Sequence, residues 1–272
     1  MGEPKIYLLP NLMTAGNLFC GFAAILRIIE GALLQVQEVN PFMHYHEAII
    51  LILGACVFDL LDGRVARLGG NESPFGREFD SLADIVSFGV APALLVYRIV
   101  LKEFNPGWLV AFIFLACGAL RLARFNCLAA AKHAGDPVDK DFSGFPIPAA
   151  AGVTASITLF MLGLQERERE IGNWKFLLPP LLLFLSFMMF SKVKYPSFKA
   201  VNWRTKKSLP RFLIIVTVLA LTIVYYRWLP ALLFISYLLY GFLRPFVSAR
   251  LRKEIEEEDD EDEEVTPGTK VI

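Results

Sequence analysis

The stretch DLLDGRVARLGGNESPFGREFDSLAD, residues 59–84, sets four aspartates between two apolar runs, and the fold turns on how that charge is accommodated. Asp59 and Asp62 are three residues apart and Asp80 and Asp84 four apart, so on helices each pair projects from one face. One Asp at the centre of a membrane-spanning helix costs about 2.5–3.5 kcal/mol on insertion scales. Four facing lipid would be a heavy penalty, and carboxylates this close repel one another. The pattern makes sense if two helix ends present their pairs to each other and share cations. Four negative charges balance two divalent ions, and oxygen-only ligands favour Mg²⁺ or Mn²⁺ over zinc.

The small residues point the same way. Gly63 follows Asp62 and Ala66 comes three later, leaving little side-chain bulk beside the carboxylates, so a planar or polyanionic ligand can lie against the backbone there. Gly76 precedes Asp80 by four, and the intervening LGGNESPFG, with Gly69, Gly70 and Pro74, suits a sharp turn. One alternative is a buried ion network with Arg64, Arg67 and Arg77, but three arginines do not balance four aspartates, and the small residues are then unexplained. Another is a non-catalytic divalent-cation transporter, since intramembrane carboxylates often mark ion pathways. These carboxylates fall at helix ends rather than at mid-membrane.

Around this stretch the chain is 55% hydrophobic with a mean hydropathy of +0.50, too apolar for an ordinary soluble domain of 272 residues. A spanning helix needs about 20 mostly apolar residues. On that criterion residues 11–29, 46–67, 80–101, 107–130, 147–165, 176–192, 210–226 and 228–247 are candidates. The expected fold is all-α and polytopic, with about eight transmembrane helices; only a tight turn at 227–230 separates the last two. With the N-terminus inside, 20 of the 27 Lys and Arg fall on one side and 7 on the other, which places both termini and the aspartates in the cytoplasm. Residues 1–250 are expected to form the transmembrane domain, and the acidic tail, 251–272, is expected to be disordered.

Other features are quieter. Cys20, Cys56, Cys117 and Cys127 lie in apolar surroundings with no CxxC and read as small buried hydrophobes. The first 21 residues lack the three-part pattern of a signal peptide, so the first apolar segment is expected to stay in the mature protein. KVKYPSFKAVNWRTKKSLPR, residues 192–211, is either a surface for anionic lipid headgroups or a topology determinant with no specific ligand. His44-x-His46 could ligate a metal, but the topology puts it on the outer side. No nucleic-acid partner is expected.

Asp59-x-x-Asp62-Gly63-x-x-Ala66-Arg67, eight residues, then Gly76-x-x-x-Asp80-x-x-x-Asp84 resembles the full signature of the CDP-alcohol phosphatidyltransferases. LPNLMTAGNLFCG (9–21), SFGVAPALL (87–95), RLARFN (121–126) and GFPIPAAAG (144–152) are similar to the phosphatidylserine synthases within that family, and the resemblance runs from residue 6 to about 160. It implies a six-helix catalytic core plus two C-terminal helices, set in the lipid bilayer of the inner (cytoplasmic) membrane. It implies a homodimer as well.

The reaction it implies is transfer of a phosphatidyl group from CDP-diacylglycerol to L-serine with release of CMP, a step of phospholipid biosynthesis. Two divalent cations, Mg²⁺ or Mn²⁺, would be held by Asp59, Asp62, Asp80 and Asp84, with Asp84 as general base. Asn11, Thr14, Gly63, Ala66, Arg67 and Gly76 would contact CDP-diacylglycerol. Asn17 stands where relatives using glycerol phosphate commonly carry Arg, which argues mildly against a phosphorylated acceptor. Siblings using glycerol 3-phosphate or inositol phosphate are the alternative. No histidine is followed two residues later by Lys, so the covalent route of the other phosphatidylserine synthase class is not supported. Arg121 and Arg124 are either acceptor-binding residues or topology and headgroup contacts.

Overall fold

The computed structural model describes residues 8–37, 39–68, 73–103, 105–133, 144–165, 176–191, 221–222 and 224–243, with the side chains of 8, 64–68, 131–133 and 165 left out. Among the described residues every regular element is helical. The order is α1 (Leu8–Val36), α2 (Phe42–Leu68), α3 (Pro74–Asp84), a π-helical stretch (Ile85–Val90), α4 (Ala91–Ile99), a 3₁₀ turn (Leu101–Glu103), α5 (Gly107–His133), α6 (Ile147–Gln165), α7 (Leu178–Phe190) and α8 (Leu229–Leu243). Four helical runs, Leu9–Val36, Pro74–Ile99, Gly107–Ala130 and Ile147–Leu164, are long and apolar enough to cross a membrane, and α7 and α8 are shorter apolar helices. Phe19, Phe22, Phe112 and Phe187 are more than half exposed, a distribution that suits lipid rather than water. Most of the expected span 210–226 lies outside the described residues, which hold only 221–222 and 224–226 of it, and the basic connector 192–211 and the acidic tail lie wholly outside them.

α1 and α2 form the most extensive helix pair among the described residues, and small residues let them approach. A Cβ at Gly16, near the start of α1, would stand 2.8 Å from the Phe58 ring near the end of α2; one at Gly31 would stand 3.0 Å from Tyr45 near the start of α2. The two helices are therefore antiparallel, and the beginning of α1 faces the part of α2 that carries Asp59 and Asp62. Ala24, Ala48 and Ala55 are fully buried in the core that these helices share.

The third span begins at Pro74, earlier than the apolar count placed it. Ser73 Oγ accepts the Gly76 N–H at 3.0 Å, and Pro74 is preset for the first helical turn and has no N–H to satisfy. The end of LGGNESPFG is thus already helix. Beyond Asp84 the helix widens, and Ala91 N–H bonds back five residues to Val86 O. Pro92 gives the physical reason: a proline ring crowds the carbonyl four residues earlier, here that of Phe88, and a wider turn relieves the crowding.

The widened stretch is pinned to α1. Ser87 is fully buried and its Oγ donates to Asn17 O at 2.9 Å, while a Cβ at Gly21 would fall 2.6 Å from Ser87 Cα and overlap Ser87 Oγ. Gly21→Ala should therefore destabilise the protein by about 1–3 kcal/mol through overpacking, read as a lowered thermal midpoint in detergent. A midpoint equal to wild type would contradict this close approach.

α6 is the central helix. Ala150, Ala151, Val153 and Ala155 are fully buried, and its polar side chains are satisfied inside the helix: Thr154 donates to Ala150 O at 2.9 Å and Thr158 to Thr154 O at 2.7 Å. Such back-bonding hides hydroxyls where no water can reach. Cys20 is buried and Cys56 and Cys117 are half-buried, but Cys127 is exposed on the last part of α5, which corrects the expectation that all four are buried.

Candidate active site

Three helices supply the site. Asp59 and Asp62 come from the last part of α2, Asp80 and Asp84 from α3, and their polar neighbours from α1. Asp59, Asp62 and Asp80 each turn one carboxylate oxygen into a group whose atoms lie within 4.8 Å of one another. Asp62 is 6% exposed and its Oδ2 accepts from Thr14 Oγ1 of α1 at 3.2 Å, a hydroxyl that also reaches Pro10 O at 3.2 Å. The donors are all hard oxygens close to one another, and one of them, that of Asp62, is oriented by a neighbour. That chemistry fits a hard divalent cation such as Mg²⁺ or Mn²⁺.

Asp84, also buried, is engaged differently. Its Oδ1 accepts from Asn17 Nδ2 at 3.0 Å, and Asn17 is itself fully buried with its main-chain carbonyl tied to Ser87. A neutral amide therefore fixes this carboxylate one helical turn beyond Asp80. Geometry reveals two supports that spacing did not. Thr14, expected against the lipid nucleotide, orients a candidate metal ligand, and Asn17 orients Asp84.

The remaining candidates fall into place around this centre. Asn11 and Gly76 face each other: a Cβ at Gly76 would sit 3.4 Å from Asn11 Oδ1. The buried Asn11 Nδ2 has no hydrogen-bond acceptor among the described residues. Gly63 is half-buried on α2, and Ala66 and Arg67 continue the same helix with side chains outside the description. Arg121 is 8% exposed, whereas Arg124 is exposed. Burial separates two arginines that sequence treated alike.

Asn126, which closes the RLARFN run, belongs to the framework rather than the chemistry. Its Nδ2 donates to Glu78 Oε2 at 3.1 Å and to Ser81 Oγ at 3.0 Å, bracing α5 against α3. His44 and His46 lie at the far end of α2. His44 Nε2 is 3.9 Å from Glu30 Oε2 and the His46 ring meets Tyr226 edge-on at 5.6 Å. Neither joins the convergent acidic group.

A model of the CDP-alcohol phosphatidyltransferase domain matches residues 7–190, a stretch that contains all four aspartates, and the chain belongs to that family. It is similar to the CDP-diacylglycerol–serine O-phosphatidyltransferase of Helicobacter pylori, at 37% identity over 242 residues covering 88% of this chain and 91% of that one. The protein of the same name from Methanocaldococcus jannaschii is 36% identical over 194 residues, 71% of this chain and 76% of its own. The archaetidylserine synthase of Methanothermobacter thermautotrophicus is 35% identical over 190 residues, 69% of each chain.

Proposed function

We propose that this chain transfers the phosphatidyl group of CDP-diacylglycerol to L-serine, giving phosphatidylserine and CMP by direct displacement. The observation that carries the reading is the convergence of Asp59, Asp62 and Asp80 within 4.8 Å beside an oriented Asp84, in a chain whose relatives are named for transfer to serine. Two divalent cations bound there would offset the charge of the diphosphate and of departing CMP. Asp59, Asp62 and Asp80 would hold them, with Thr14 keeping Asp62 in register.

The chain's own groups do the rest. Asn11 Nδ2 donates to the nucleotide diphosphate, and Gly63, Ala66 and Gly76 leave room for it along two helices, with Arg67 as a further charge. Asn17 holds Asp84 Oδ1, leaving Oδ2 to take the proton of the serine hydroxyl. As that hydroxyl oxygen bonds to phosphorus, the phosphorus–oxygen bond to CMP breaks. Arg121 binds the serine carboxylate, since a guanidinium matches a carboxylate with two parallel hydrogen bonds; the exposed Arg124 contacts headgroups.

The same reading places eight spans in the inner membrane, including α2 and 210–226, with both termini and the aspartates at the cytoplasmic face, in a homodimer. Acyl chains need lipid, while cytidine and serine need water, so the reacting phosphorus belongs at that interface. Purified protein given CDP-diacylglycerol should release CMP with L-serine and not with glycerol 3-phosphate or inositol phosphate. Release with a phosphorylated acceptor alone would replace serine transfer by a sibling reaction.

A further inference from the structure

Asp80 sits on the part of α3 that packing holds least. The buried residues of α3 are Ala83 and Asp84, both in its last turn, and from Pro74 to Leu82 every side chain is half-buried or exposed. A helix with its side chains is about 10–12 Å across, so a rotation of about 10° about its axis carries a carboxylate about 1 Å. Metal–oxygen distances are held to about ±0.2 Å. For Asp80 to keep an oxygen within 4.8 Å of those of Asp59 and Asp62 on α2, something other than burial must fix the rotation of α3.

Side-chain hydrogen bonds from α5 supply that hold. Glu78 and Ser81 are three residues apart, on the face of α3 beside that of Asp80 and Asp84. Asn126 of α5 reaches both: its Nδ2 donates to Glu78 Oε2 at 3.1 Å and to Ser81 Oγ at 3.0 Å. The Ser81 hydroxyl in turn donates to Arg77 O at 3.1 Å, which carries the contact into the backbone of the helix. Glu78 precedes Asp80 by two residues and Ser81 follows it directly. One amide thus grips α3 on either side of Asp80, and the helix cannot turn there without breaking a hydrogen bond.

We propose that Asn126 is a positioning residue for Asp80, so that α5 sets the affinity of the three carboxylates for a divalent cation without touching the ion; this rests on Asp59, Asp62 and Asp80 being its ligands. The contact has a defined polarity, an amide donor on α5 against a carboxylate and a hydroxyl on α3, so it can be broken and then rebuilt in reverse.

The test is Mn²⁺ titration of full-length protein in detergent followed by electron paramagnetic resonance, with the thermal midpoint of each variant recorded. Asn126→Asp sets a second carboxylate against Glu78 and is expected to weaken Mn²⁺ binding about tenfold, the low end of what loss of an outer-shell partner costs. Asn126→Leu should do the same by removing the donor. Adding Glu78→Gln to Asn126→Asp again sets an amide against a carboxylate, with the Ser81 hydroxyl free to donate to it, and should return the affinity to near wild type. Midpoints should stay close to wild type throughout, because Glu78 is exposed and Asn126 half-buried. Unchanged affinity in Asn126→Asp and Asn126→Leu, or a loss that tracks the midpoint or that Glu78→Gln does not repair, overturns the positioning role and leaves the metal reading standing. Mn²⁺ binding that is absent from wild type, or unchanged in Asp80→Asn, overturns both.

Discussion

Asp84→Asn is expected to lower kcat for CMP release by about 10²- to 10⁴-fold, the usual contribution of a positioned general base, while binding of CDP-diacylglycerol changes little. The substitution is nearly isosteric at a buried position. The new amide oxygen can still accept from Asn17 Nδ2, which lies 3.0 Å from Asp84 Oδ1, so the helix junction and the Ser87 anchor are preserved. Asp84 also stands outside the convergent group formed by Asp59, Asp62 and Asp80, so that group keeps all three carboxylates. The substitution removes proton-accepting capacity and one negative charge. Single-turnover CMP release and equilibrium binding of CDP-diacylglycerol separate the two effects. Full turnover in this variant would remove Asp84 from the chemistry.

Much of the site is legible in the sequence because the spacings that matter are local. Asp59 with Asp62 and Asp80 with Asp84 lie about one helical turn from each other, and helical periodicity alone puts each pair on one face. Their supports are not local: Thr14 reaches Asp62 across 48 residues and Asn17 reaches Asp84 across 67. Nothing in α1 announces which of its polar side chains will meet which aspartate until α1 and α2 pack antiparallel on Gly16 and Gly31.

The same division holds for the fold. Apolar runs locate the helices α1, α2, α5 and α6 well, and α1, α5 and α6 are also long and apolar enough to cross lipid. They place the third span late because the first turns of α3 carry Arg77, Glu78, Asp80 and Ser81. There the true start is written in capping residues, Ser73 and Pro74, rather than in apolarity. The π-helical stretch is too short, at six residues, for its period to be told from that of an α-helix, and Pro92 is its one trace in the sequence. α7 is only 13 residues long, with Pro179 and Pro180 in its first turn, where prolines are tolerated.

Chelation should have the other large effect. EDTA is expected to reduce CMP release to background and added Mn²⁺ or Mg²⁺ to restore it, and Asp62→Asn should not be rescued at the concentrations that suffice for wild type. The electrostatics explain why. Two unit charges 4.8 Å apart, the limit within which these oxygens lie, repel by about 3.5 kcal/mol at an effective dielectric constant near 20. Asp59, Asp62 and Asp80 impose three such pairs on partly buried ground, and binding a pyrophosphate there would add further negative charge. Cation binding converts those repulsions into shared attraction and makes the site hospitable to a polyanion. Asp62 is the most buried of the three and has Thr14 to orient it, so its loss should cost more than the loss of a mobile surface ligand. Thr14→Val leaves every carboxylate in place and removes only the orienting hydroxyl, and should weaken Mn²⁺ binding about 10- to 100-fold, as loss of an outer-shell partner does. Mn²⁺ titration followed by electron paramagnetic resonance reads this without turnover. Metal-independent CMP release, or Mn²⁺ binding unchanged in Asp62→Asn, would mean that the three carboxylates converge for another reason.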